Sequence, residues 1–198
     1  MPTKDGNSET NILMRILKIF AYSLAIICLT ACSEAATEIN ERTAQEIYNG
    51  IRGTYVGNVV VDNIPQAVFV SIEDDFTVRQ LPLKPILERI FTNATELTEA
   101  LSSARDVVFK APTENMTISG NSVLLTMTDT DLIFTVTVNG RPYQVTAMTA
   151  SYTEVNSYSK ELSLYMEIKE LLCGGQSYDV TTNRITYSID VADKLATD

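Results

Sequence analysis

The chain has no histidine, no tryptophan and only three cysteines, and its acidic residues outnumber its basic ones. Each shortage removes a class of function. Without histidine there is no Ser-His-Asp triad, no imidazole general base and no His-ligated zinc site. No phosphate-binding loop, Gly-x-Gly-x-x-Gly run or Cys-x-x-Cys pair occurs. Fifteen Lys+Arg against 25 Asp+Glu give a formal charge of −10, which leaves no basic footprint for nucleic acid or anionic lipid. A long apolar run is missing too. The stretch from Ile19 to Ala31 has 13 residues, whereas a helix needs about 20 to span a bilayer.

That short run has another use. Arg15 and Lys18 supply a positive flank and Ile19–Leu29 an apolar centre of 11 residues, so residues 1–31 are expected to be a secretory signal peptide. The polar segment ahead of it carries two acids, Asp5 and Glu9, unlike the start of a signal. Met14, opening "MRILKIF", is therefore expected to be the true start. The run ends in Leu29-Thr30-Ala31-Cys32, a leucine, two small residues and a cysteine. This tetrapeptide resembles the lipobox of bacterial lipoproteins. The resemblance implies diacylglycerol on the Cys32 sulfur, cleavage before Cys32, and a further acyl chain on the new amine. Such chemistry fits the physical demand, since one acyl chain binds a membrane only marginally and stable anchoring takes at least two. It implies a bacterial cell-envelope protein whose membrane partner is reached through the N-terminal lipid. Ser33, where Asp would retain a lipoprotein at the inner membrane, favours the outer membrane by analogy with enterobacterial sorting.

With Cys28 in the signal and Cys32 lipidated, Cys173 stands alone and no intramolecular disulfide is possible. A nucleophilic cysteine normally needs a neighbouring base. In "ELLCGGQ" Cys173 is expected to be a small buried apolar residue instead.

Residues 32–42 read as a polar tether, and 43–198 as one domain of a size that a single core serves. Thr43 with Glu46 suits a helix start, and Ala44, Ile47, Tyr48 and Ile51 share a helical face that Gly53 ends. The period then changes to two, with Tyr55, Val59 and Val61 alternating against Thr54, Asn58 and Asp62. A helical insertion is expected near 84–104: Pro85 suits a first turn, and Asn93 with Glu96 a second start. Strand-like runs fill the rest. The clearest sets Leu162, Leu164, Met166 and Ile168 against Glu161, Ser163, Tyr165 and Glu167, the one-sided burial of antiparallel sheet. The fold class is mainly β: an antiparallel meander of about 8–10 strands, as barrel or sandwich. Asn139-Gly140 predicts a type I′ hairpin in which Phe134 faces Val145 and Leu132 faces Ala147. Pro142 then faces Thr137 at a non-hydrogen-bonded position, and the sheet should be open on its other side.

The short helix followed by Gly53-Thr54-Tyr55 and Gly57 resembles the opening of calycin-type barrels, in which lipocalins carry Gly-x-Trp; here Tyr55 stands in the Trp position. Lipobox, "GTYVGNVVV" and long meander together resemble lipoproteins of unknown activity that are abundant in Bacteroidetes, some of them calycin-like. The resemblance implies a barrel and brings no activity.

One enzymatic option survives the inventory, a carboxylate pair of the glycosidase kind with its two acids about 5–10 Å apart. Glu73, Asp74 and Asp75 are the candidates, although adjacent acids in a turn are usually solvated. The same cluster and Asp129-Thr130-Asp131 form two short acidic turns that could converge on calcium. Neither matches an EF-hand loop, so no metal and no cofactor are expected, and the protein is read as a non-enzyme. Among the tyrosines, Tyr55, Tyr143 and Tyr187 are expected in the core and Tyr165 on the opposite face. The leading reading is a lipid-anchored domain that binds a ligand or partner or serves structurally. The alternatives are a calycin-like carrier of a small apolar ligand and an acid-pair glycan hydrolase. A small apolar ligand, a glycan or an envelope protein are the partners these readings imply, and no ligand-binding residue is assigned.

Overall fold

The computed structural model describes residues 43–104 and 107–196. The expected signal peptide, the Leu29-Thr30-Ala31-Cys32 box and the tether lie outside the described residues. The chain divides into two compact units, Met1–Ile47 and Tyr48–Asp198. Of the first, residues 43–47 are described and are helical; the second opens on helical residues 48–51, α1. Among the described residues no helix is long and apolar enough to cross a membrane.

The second unit is a ten-stranded antiparallel sheet curled into a nearly closed barrel. Its strands are β1 (Gly53–Val61), β2 (Ile64–Ile72), β3 (Phe76–Arg79), β4 (Val108–Ala111), β5 (Thr113–Ser119), β6 (Ser122–Val138), β7 (Arg141–Asn156), β8 (Glu161–Cys173), β9 (Gln176–Tyr178) and β10 (Thr186–Lys194). The order around the sheet is β4-β3-β2-β1-β10-β8-β7-β6-β5, with β9 paired to β8. The ends of that path, β4 and β5, are separated in sequence by Pro112 alone. The two ends of the path are thus joined by continuous chain, and the Thr128 N–H, donating to the Pro112 carbonyl at 3.1 Å, extends the β5–β6 ladder by one rung to that junction. Of the two architectures the sequence allowed, the barrel is the one formed.

Local chemistry sets the hairpins. Asn139 and Gly140 take φ of 52° and 71°, and the pairs run Val138↔Arg141, Val136↔Tyr143, Phe134↔Val145 and Leu132↔Ala147, as expected. Pro142 pairs with Thr137, and β7 meets β8 only from Val145↔Cys173 onward, leaving the far side of Pro142 open. Asp62-Asn63 makes a second two-residue loop with φ of 53° and 63°. Its Pro65 likewise sits opposite Val60 in a non-hydrogen-bonded position, where a missing N–H costs no ladder bond.

One expectation fails. Asp129-Thr130-Asp131 is not a turn: the chain runs through it in β6, a strand of 17 residues. The register shifts between Met127 and Thr130, and β8 and β10 carry shifts of the same kind. Bulges of this sort let long strands bend and coil enough to close a barrel. Polar residues in a bulge resemble a turn in sequence because both interrupt the alternation.

The inside is filled by side chains. Tyr55, Phe76, Phe109, Leu125, Met166 and Tyr187 are among those fully buried. The two buried phenols are satisfied, Tyr55 Oη donating to the Ile51 carbonyl at 2.5 Å and Tyr187 Oη to the Pro82 carbonyl at 2.9 Å. Burial raises the Tyr55 pKa to about 12 and raises that of Tyr187 as well. β7 contributes buried Thr149 and Thr153, which donate to the Thr130 carbonyl at 3.0 Å and the Ser163 carbonyl at 2.5 Å.

The insertion is two short helices, α2 (Lys84–Ile90) and α3 (Ala94–Ser103). Pro85 lies in the first turn of α2. Asn93 caps α3 by accepting from the N–H groups of Thr95 at 2.8 Å and Glu96 at 3.3 Å.

Candidate functional site

The insertion borders a cleft. On the outer face of the sheet Phe69, Arg79 and Val108 stand in one cross-strand row, from the pairs Phe69↔Arg79 and Arg79↔Val108. After β3 the chain breaks sharply. Gln80 takes φ 60°, a left-handed conformation that costs a non-glycine residue about 1–2 kcal/mol. The break carries Leu81 and Pro82 into the interior and leaves Leu83 half-buried ahead of α2. α3 then supplies Leu101 and Ala104 as the facing wall. The space enclosed is about 570 Å³, within the roughly 300–1,000 Å³ typical of small-molecule sites.

The wall is held in place from behind. Ser103 Oγ accepts from the Thr137 N–H at 2.8 Å, and Glu99 Oε2 accepts from the Asn139 N–H at 2.6 Å. Asn139 Nδ2 also donates to Glu96 Oε1 at 3.2 Å. These bonds pin α3 to the tip of the β6–β7 hairpin. The residues lining the cleft are apolar apart from Gln66, Gln80 and Arg79, although polar atoms make up nearly half of its exposed surface. Arg79 is exposed and, among the described residues, is the sole charged member of the lining and makes no ion pair. The cleft can therefore accept an apolar body and neutralise one negative charge. Sequence alone did not reveal it, because Phe69, Arg79, Leu101 and Val108 are joined only by folding.

The acidic candidates are otherwise engaged. Arg52 Nη2 contacts Glu73 Oε2 and Asp74 Oδ1, each at 3.0 Å, and Lys110 Nζ contacts Asp75 Oδ2 at 2.8 Å. Each of the three acids of the β2–β3 turn is thus engaged in an ion pair, Glu73 and Asp74 sharing the one guanidinium. Asp129 and Asp131 are exposed on β6 at its bulge. Among the described residues no three acids, cysteines or histidines gather as a metal cluster would require, so the two acidic stretches do not converge.

Cys173 is buried, and burial raises its thiol pKa, so little of it is thiolate at neutral pH. Tyr55 and Tyr187 lie in the core as expected. Tyr143 is only half-buried, its ring edge-on to Phe91 with centroids 5.9 Å apart. Tyr165 lies on the outer face, stacked on Tyr152 at 5.3 Å. Leu29, Thr30, Ala31 and Cys32 remain outside the described residues.

Compared with protein-family models, with curated proteins and with solved structures, the chain matches none.

Proposed function

We propose that this is a non-enzymatic, lipid-anchored domain of the bacterial cell envelope, held at the outer membrane through Cys32, that binds a small amphipathic ligand carrying one negative charge. The ligand sits in the cleft between the sheet and α3, its apolar part against Phe69 and Leu101 and its anionic group at Arg79. The observation that carries this reading is Arg79, which makes no ion pair among the described residues, beside a cleft of suitable size lined largely by apolar residues. The resemblance to calycin-like lipoproteins is consistent with a carrier. A carrier of the usual kind holds its ligand in the lumen, but here Tyr55, Phe76, Phe109 and Tyr187 occupy that space. An outer cleft is the available alternative. An acid-pair hydrolase receives no support from Glu73, Asp74 and Asp75, each of which is held in an ion pair with Arg52 or Lys110.

The test is a titration with a dansylated undecanoate, followed by dansyl fluorescence. Arg79→Ala should weaken binding roughly tenfold, the equivalent of about 1.4 kcal/mol. Leu101→Asp should abolish it. Unchanged affinity in both variants overturns the reading.

A further inference from the structure

The shortest ladder along the path of the sheet, between β1 and β10, opens into a seam beyond Gly57. β1 and β10 pair only at Tyr55↔Lys194, Val56↔Asp193 and Gly57↔Ala192. Beyond Gly57, β1 continues to Val61 paired to β2, while β10 runs back to Thr186 paired to β8. The strands touch at Gly57: a Cβ placed there would lie 2.4 Å from Ile189 Cγ2 and 2.8 Å from Ala192 Cβ. The register shift between Ile189 and Ala192 bends β10 at that point, and past it the two strands have no partner residues in each other.

Backbone polarity along the seam follows from alternation. The two-residue Asp62-Asn63 loop makes Val61↔Ile64 a hydrogen-bonded pair, so the N–H and C=O of Val60 point away from β2. Ile168 N–H donates to the Ile185 carbonyl at 3.0 Å, which by the same alternation turns the N–H and C=O of Thr186 and Ser188 away from β8. Both sets face the groove between β1 and β10. The groove encloses about 440 Å³, with buried Val59 in its floor and Val60, Thr186, Ser188, Asp190 and Val191 along its sides. Four residues of extended chain span about 13 Å, a fragment of the right scale for this space.

The surroundings specify the occupant. Val60 and Val191, on the two sides of the groove, are exposed large apolar side chains brought together there. Asp190 also lines the adjoining depression together with Glu154 and Glu161, and no lysine or arginine lines either one. Glu161 and Asp193 stand directly opposite each other on β8 and β10, a like-charge pairing that disfavours the free state. Unpaired backbone on two facing strands, two exposed valines and uncompensated carboxylates are together complementary to an extended chain with alternating basic and β-branched residues.

We propose that this seam is a docking site for an extended basic segment of a partner protein, which adds a strand between β1 and β10. Main-chain hydrogen bonds to Thr186 and Ser188 supply the pairing, Val60 and Val191 take its apolar residues, and Asp190 takes a cation. Strand addition of this kind reads its ligand through backbone first and side chains second. The site is separate from the α3 cleft, and the two proposals stand or fall independently.

The experiment uses a fluorescein-labelled Lys-Val-Lys-Val-Lys-Val peptide against the full chain, read by fluorescence anisotropy. Two control peptides accompany it: one N-methylated at alternate residues, and one with Glu in place of Lys. The Lys-Val peptide should bind saturably, and both controls should lose about tenfold or more in affinity. Ser188→Pro should also lose binding, because a proline there blocks the open edge while sparing the ladder to β8. Should that variant fold poorly, hydrogen exchange on the unaltered chain decides: added peptide should protect residues 58–61 and 186–190. No binding of the Lys-Val peptide at millimolar concentration, equal binding of the N-methylated form, or protection elsewhere overturns the proposal.

Discussion

Replacing Gly57 by alanine would set a methyl group directly into β10. At this position the backbone is ordinary, so the demand for glycine comes from space and not from φ. The new Cβ would lie 2.4 Å from Ile189 Cγ2 and 2.8 Å from Ala192 Cβ, closer than real Cβ atoms approach, and would meet the Val191 carbonyl oxygen at 3.2 Å. Both side chains are fully buried and cannot swing aside. Overpacking of this order costs about 1–3 kcal/mol. Loss of glycine's freedom in the unfolded chain offsets about 0.4–1 kcal/mol of it. The net destabilisation should be about 1–2 kcal/mol, and for a domain near 150 residues the melting temperature should fall by about 2–8 °C. Calorimetry reads this directly. The mechanism has its own control: Ile189→Leu removes the offending Cγ2 while conserving volume. The double variant Gly57→Ala/Ile189→Leu should recover about 1 kcal/mol relative to additivity. An unchanged or raised melting temperature in Gly57→Ala, or strict additivity in the double variant, would refute the claim that β1 and β10 cross in contact.

Three further predictions follow from other parts of the chain. Cys32→Ala should move the protein from the membrane fraction to the soluble fraction and abolish labelling with radioactive palmitate; labelling that survives the change refutes lipidation at Cys32. Cys173, buried and with a raised thiol pKa, should react slowly with a thiol dye in the native protein and quickly in denaturant; fast native labelling would revive a reactive cysteine. Asp179 accepts hydrogen bonds from the hydroxyls and N–H groups of Thr181 and Thr182, which hold its carboxyl well below the usual carboxylate range. Its folded pKa is lower than its unfolded one, so its contribution is complete above about pH 4 and declines as acid protonates the folded form. The gap in urea midpoint between the protein and Asp179→Asn should therefore narrow below that pH, and a gap that widens there contradicts the assignment.

What could be read in the sequence was what neighbouring residues decide. The Asn139-Gly140 loop fixes its own turn and with it the register out to Leu132↔Ala147. Asn93 caps α3 through a side chain that reaches only two and three residues on. The alternation in β8 placed Leu162, Leu164, Met166 and Ile168 inside. What stayed hidden depends on distant partners. Barrel closure brings β4 and β5, the two ends of a nine-strand path, to adjacent positions on either side of Pro112, and the order of the strands between them is encoded by no local pattern. The bulge at Asp129-Thr130 reads as a turn until β7 is seen passing alongside it. The α3 cleft joins residues from Gln66 to Val108 across four elements, and the open seam joins β1 to β10, more than 120 positions apart in sequence. The calycin-like motif shows the boundary well. Gly57 was visible as part of a resemblance, but the reason for it, the approach of Ile189, was not.

The claim at the centre of this account is that the ligand binds outside a packed barrel. It is tested most directly by intermolecular NOEs from bound undecanoate to assigned methyl groups of the protein. NOEs are expected to Leu81, Leu101 and Val108, which border the cleft. NOEs to Leu125, Val136 or Leu164, all buried in the barrel interior, would contradict it and restore the carrier with a ligand-filled lumen.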